Sequence, residues 1–87
     1  MEVVYSGHVQ GIGFRYTVQS LAPGYEVTGV VRNSADGSVH LIAEGARPEL
    51  EAFPEAILES GLRPFIHQTQ VHWGEARNAF RGFTIGR

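Results

Sequence analysis

An α+β fold, with a mostly antiparallel sheet and two helices on one of its faces, is the architecture this sequence predicts. Three observations carry that expectation. Valine-rich stretches of alternating polarity recur along the chain, as strands require. Two segments place apolar residues at helical spacing, Phe14, Val18 and Leu21 in the first and Leu50, Phe53, Ile57 and Leu58 in the second. Between them, Asp36-Gly37 marks a hairpin tip joining two strands.

Taken in order, Glu2 to His8 reads as the first strand, because Val3 and Tyr5 alternate with more polar neighbours. Gln10 to Gly13 is a loop. Phe14 opens a helix of about two turns, which the Ala22-Pro23-Gly24 run stops. Tyr25 to Arg32 is the second strand, Asn33 to Ser38 the turn, and Val39 to Ala43 the returning strand.

The second helix follows, with Glu51, Glu55 and Glu59 on a solvated face and Pro48 in its first turn. Pro54 removes a donor and crowds the turn before it. Either the helix kinks there or its regular part begins only at Pro54; Gly61 ends it. Phe65 to Glu75 is a fourth strand, with Val71 and Trp73 on one side, and Phe83 and Ile85 alternate in a short last one. Strand, helix, strand, strand, helix, strand, with a short addition, is the order of a ferredoxin-like split βαβ sandwich.

Composition bounds the function. The 87 residues allow a single domain over 1–87. With 43% hydrophobic and 18% charged residues the chain is expected to fold rather than stay disordered. A net charge of −2, spread along the chain, gives no electrostatic case for nucleic acid. The absence of cysteine removes disulfides, zinc-thiolate sites and a thiol nucleophile. No apolar run approaches a membrane span, and the start lacks a signal-peptide pattern, so a cytoplasmic location is expected.

The stretch "GHVQGIGFR", Gly7 to Arg15, carries the main chemical signal. A helix start leaves its first N–H groups without partners. Gln10, Gly11, Ile12 and Gly13 offer none of the usual capping side chains. Glycines let successive amides turn into one concavity, and the helix dipole stands behind them. Arg15 adds a planar fork of donors suited to phosphate or carboxylate. The loop alone is equally compatible with a tight turn beside an exposed arginine. Neither the P-loop nor the dinucleotide pattern is present. A second stretch, "GVVRNSADGSV", places Asn33 where strand gives way to turn, a position Asn also takes for purely local reasons.

Together, at a spacing of eighteen residues between Arg15 and Asn33, the two stretches resemble the acylphosphatase family. The family pattern, G-x-V-Q-G-V-x-F-R and then G-x-V-x-N-x-x-D-G-x-V, is matched at Gly7, Val9, Gln10, Gly11, Phe14 and Arg15, with Ile12 for the usual Val. It is matched again at Gly29, Val31, Asn33, Asp36, Gly37 and Val39. The resemblance spans nearly the whole chain in length and element order.

That resemblance implies hydrolysis of the carboxyl-phosphate bond of small acyl phosphates, giving a carboxylate and inorganic phosphate. It implies that the amides of Gln10, Gly11, Ile12, Gly13, Phe14 and Arg15 hold the phosphate, that Arg15 holds phosphoryl oxygens, and that Asn33 orients the water. Inorganic phosphate or sulfate is then the expected site ligand. No cofactor and no metal are called for, and no nucleic-acid or membrane partner; a monomer is expected.

Other residues read as structural. His67 and His72, five apart, face opposite ways on a regular strand, which argues against a metal pair. His8 reads as a solvent-facing strand residue rather than one that tunes phosphate binding, Trp73 as core or sheet-face packing, and Tyr16 as a cover for the first helix in preference to a residue lining the site. An RNA-binding module would carry aromatics on its central strands, and "SVHLIAEG" has none. A low-turnover anion-binding or maturation module of the same fold is the remaining alternative; a chain ending at residue 87 points instead to a stand-alone enzyme.

Overall fold

Strand β1 (Glu2–Gly7) leads through a loop into helix α1 (Phe14–Leu21), and a single tight turn at Ala22–Gly24 leads into β2 (Val27–Asn33). β3 (Val39–Gly45), α2 (Arg47–Ile57), β4 (Ile66–His72) and β5 (Phe83–Ile85) complete the chain. The computed structural model describes residues 1–86; Arg87, the end of the expected domain, lies outside the described residues. The sheet order is β4-β1-β3-β2-β5, antiparallel at every pairing but β2 with β5. This is the expected ferredoxin-like α+β arrangement with one short parallel strand added at the edge.

Register decides which side chains meet the helices. Val3 lies opposite Leu41 and Tyr5 opposite Val39, while Val31 lies opposite Leu41 from the other side. Because side chains alternate, these residues share one face with Ala43. All are buried, together with Phe14 and Val18 of α1 and Leu50, Phe53 and Ile57 of α2. Each such aliphatic or aromatic side chain contributes about 1.5–3 kcal/mol by leaving water. The apolar spacing read from the sequence is therefore the packed interface between the two layers.

Several boundaries differ from the sequence expectation. Tyr25 and Glu26 belong to the turn leaving α1, closed by Tyr25 N–H to Ala22 O at 3.0 Å, so β2 starts two residues late. It then runs through Asn33, which pairs with Val39. β3 continues to Gly45, where it still pairs with Val27. β4 is shorter than expected, because His72 already pairs with Glu2, the first residue of β1. Beyond it the ladder has no partner to follow.

Two further expectations are corrected. The second helix is continuous from Arg47 to Ile57, so its regular part does not wait for Pro54. Pro54 forgoes only its own bond to the turn before it. The helical path past Ile57 breaks at Gly61, whose φ of 97° is non-helical. Of the two readings for Trp73, core or sheet-face packing, the first is corrected: the residue is 43% exposed, and the Arg47 guanidinium lies over its ring at 3.7 Å. α1 packs on β2 and β5 and α2 on β3, while β4 has no fully buried residue and only its first, Ile66, packs against the core.

Candidate active site

Val9 is fully buried and anchors the start of the loop after β1. From there the backbone takes positive φ at Gly11 (78°) and again at Gly13 (80°), where α1 begins. Left-handed backbone of this kind suits glycine and is costly for residues with a Cβ. Gly13 is the N-cap and has no side chain to cap with. The first bond of the helix ladder is Thr17 N–H to Gly13 O, at 2.9 Å. None of the amides from Gln10 through Tyr16 finds a protein acceptor among the described residues. A helix start with its positive dipole end and several free donors is an anion site in waiting.

The same loop is tied to the β2–β3 turn. Gln10 Nε2 donates to the carbonyls of Ser34 (2.7 Å) and Ser38 (3.0 Å). The turn is itself cross-braced. Asp36 Oδ1 accepts from the Ser38 hydroxyl at 2.5 Å and from the Ser38 amide at 3.0 Å. His40 Nε2 lies 3.0 Å from the same hydroxyl. The Ser38 hydroxyl, then the Ser38 amide, hold the Asp36 carboxyl below the usual carboxylate range. Asn33, the last residue of β2, leaves the sheet directly into this braced turn.

Arg15 sits in the first turn of α1, half-buried. Its Nη1 donates to Gly86 O at 3.3 Å. Gly86 is in turn fixed to β2, its N–H donating to Val31 O at 2.8 Å. The guanidinium is thus steadied by the segment after β5, and its remaining donors meet no acceptor among the described residues.

These elements converge on one cavity of 180 Å³, lined by Val9, Gly11, Gly13, Phe14, Arg15, Tyr16 and Asn33. Arg15 and Asn33, apart in sequence, are brought together, as are Gly11, Gly13 and Phe14 of the loop. Gln10 and Ile12 do not line it: the Gln10 side chain faces the β2–β3 turn, and Ile12 is exposed. Among the described residues the only charged side chain in the lining is Arg15, a charge that suits an anion.

Of the two readings open for Tyr16, lining the cavity is the one observed, against the cover favoured from sequence; its place directly after Arg15 was the signal. One contributor escaped the sequence reading. The Gly86 carbonyl had no local signal, since its position depends on β5 pairing with β2. The histidines stand apart from the cavity. His8 is exposed and meets His67 edge to face at 5.3 Å. His72 lines a separate cavity of 370 Å³ on the helix-free side of the sheet, with Glu2, Ile42 and the segment from Trp73 to Phe80. Among the described residues no three His, Asp or Glu side chains cluster as metal ligands would, and no helix is long and apolar enough to cross a membrane.

Comparison with known proteins was made on sequence and on structure. The family model described as Acylphosphatase matches residues 1–85. An acylphosphatase of Salinibacter ruber is 43% identical over 82 residues, which cover 94% of this chain and 86% of that protein. The crystal structure of acylphosphatase from Bacillus subtilis superposes with a TM-score of 0.87 at 33% identity, covering 99% of this chain and 96% of that one. The crystal structure of T. kodakarensis HypF gives a TM-score of 0.83 at 25% identity, covering 99% of this chain but 11% of that chain.

Proposed function

The chain belongs to the acylphosphatase family, and from that premise we infer that its acyl phosphate hydrolysis is carried out by the Gly11–Arg15 loop together with Asn33. The observation that carries this reading is the single cavity shared by Gly11, Gly13, Arg15 and Asn33. The phosphoryl group sits against the free amides at the start of α1. Arg15 supplies a charged fork to its oxygens. Asn33 holds a water on the side opposite the carboxyl leaving group.

The reaction is an in-line displacement. The water oxygen forms a bond to phosphorus as the bond from phosphorus to the bridging oxygen breaks. The electron pair leaves with the carboxylate, and the phosphoryl group departs as inorganic phosphate. A carboxylate is already a good leaving group, so no strong general acid is needed. Such transfers depend mainly on positioning and on charge stabilisation. Preorganised amides and one arginine, aimed where charge develops, supply both. The Asn33 side chain donates and accepts hydrogen bonds but takes no proton at neutral pH. The water proton passes to the phosphoryl oxygens or to solvent. No step calls on a metal.

The test is hydrolysis of benzoyl phosphate in the presence of a chelator, with wild type beside Arg15→Ala and Asn33→Ala. Turnover by the wild type, with both folded variants slower by at least about a hundredfold, supports the assignment. A second reading is a low-turnover anion-binding or maturation module of the same fold; its anion-binding part is supported by the likeness to 11% of a full-length HypF chain described as phosphate- and nucleotide-bound. A folded wild type no faster than buffer, yet retaining phosphate, would select that reading instead.

A further inference from the structure

Five large apolar side chains stay exposed among the described residues, and they form two groups. Phe65, Val71 and Trp73 lie on or beside β4, the strand with no fully buried residue. Ile12 and Tyr16 lie at the loop and the first turn of α1, and Tyr16, 68% exposed, lines the cavity that holds Arg15 and Asn33. The fold has no packing use for this ring. The buried face of α1 is made by Phe14 and Val18. At 100° per residue, Tyr16 lies about 200° around the helix from Phe14 and points away from the core. Its hydroxyl has no hydrogen-bond partner in the protein among the described residues.

We propose that Tyr16 is the contact for the acyl group, and that it selects acyl phosphates whose acyl part presents a flat apolar surface over those with a small acyl part. This rests on the function proposed above. With the phosphoryl group against the amides of α1, the carbonyl carbon lies one bridging oxygen further out. Whatever it carries must leave the cavity by its mouth, where Tyr16 stands. A Cβ added at Gly11 or Gly13 would meet nothing within 4 Å, so the loop itself puts no wall in the way. Among the described residues the cavity lining holds no carboxylate that would bind a cationic acyl group. The surface left for the acyl part is an aromatic face, with the exposed Ile12 on the adjoining loop. Rings meeting a ring gain from area and from offset or edge-to-face geometry, and a methyl group gains little of either.

The experiment compares kcat/KM for benzoyl phosphate and acetyl phosphate in wild type, Tyr16→Phe and Tyr16→Ala, with circular dichroism as the check on folding. The quantity read is the benzoyl-to-acetyl ratio of each variant relative to wild type, which cancels the intrinsic reactivity of the two substrates. Tyr16→Ala is expected to lower that ratio by roughly five- to tenfold, and Tyr16→Phe to keep it within about twofold, because the ring and not the hydroxyl makes the contact. A merely structural role would lower both substrates alike and leave the ratio unmoved. An unmoved ratio in a chain that turns over overturns the proposal while the catalytic reading stands. Failure of the wild type to hydrolyse either substrate overturns both.

Discussion

Gln10 Nε2 donates to the Ser34 carbonyl at 2.7 Å, joining two loops twenty-four residues apart. One loop carries the amides at the start of α1, and the other begins at Asn33. In the function proposed above, water and phosphoryl group are held in line by these two loops, which have no backbone continuity between them, and this link sets their relative position. Two neutral hydrogen bonds of about 1 kcal/mol each are at stake. Gln10→Leu is expected to lower kcat roughly tenfold with a much smaller change in KM, because misplacement costs the reaction more than it costs binding. Gln10→Glu should be worse, since it sets a carboxylate against two carbonyl oxygens. Steady-state kinetics on both variants is the check, and an unchanged kcat in Gln10→Leu would show that the link is dispensable.

Gly29 matches the family motif without touching the cavity, and the reason is close approach. It lies in β2 opposite Ala43, and a Cβ there would overlap the Ile42 carbonyl oxygen of β3. The obstruction is backbone in a central ladder and cannot swing aside. Gly29→Ala is expected to cost at least about 2 kcal/mol of stability, measured by urea unfolding. An unaltered midpoint would mean that β2 and β3 can separate locally at no cost.

Much of this arrangement was legible in the sequence, for identifiable reasons. The faces of β1 and β3 and the extent of α1 follow from short-range periodicity, and the hairpin from Asp36-Gly37, each a local signal. The uncapped amides at the start of α1 followed from what was missing before Phe14, a capping side chain. The features that escaped are non-local. The end of β4 is set by where β1 runs out, and Trp73 stays exposed because the helices cover β2, β3 and β5 instead. For Tyr16 the sequence left site lining and helix cover both open, and the fold decides because this helix surface is also the rim of the cavity.

Tyr5 places a hydroxyl in the core. Its ring lies 5.0 Å from that of Phe14, and its oxygen is buried without a hydrogen-bond partner among the described residues. An unmatched buried hydroxyl is unfavourable, so Tyr5→Phe is expected to stabilise the fold by about 1 kcal/mol at neutral pH. Burial also pushes the Tyr5 hydroxyl above the ordinary tyrosine range. Above about pH 10 the unfolded chain releases this proton and the folded chain keeps it. The folded state then binds more protons, so its stability falls as pH rises. The advantage of Tyr5→Phe should therefore widen in alkali, as read from urea midpoints between neutral pH and pH 11. Equal or lower stability for the variant would mean that the hydroxyl is satisfied in solution.

Asp36 gives the opposite pH dependence. The bonds from the Ser38 hydroxyl and amide hold its carboxyl below the usual range, with His40 adding to the effect. Between its folded value and the ordinary carboxylate value near 4, the unfolded chain binds the extra proton, so stability rises with pH across that interval. The contribution is therefore present above the ordinary value and lost as pH falls through the folded one. Asp36→Asn should flatten the acid limb of the stability curve, most visibly below about pH 4. Urea unfolding of wild type and variant at steps from pH 6 to pH 2 would show it, and superimposable acid limbs would dismiss the role. The consequence reaches the cavity. Ser38 takes the Asp36 bonds on its amide and hydroxyl and the Gln10 bond on its carbonyl. Protonating Asp36 thus slackens the same turn that positions Asn33, and activity in acid should decline before the chain unfolds.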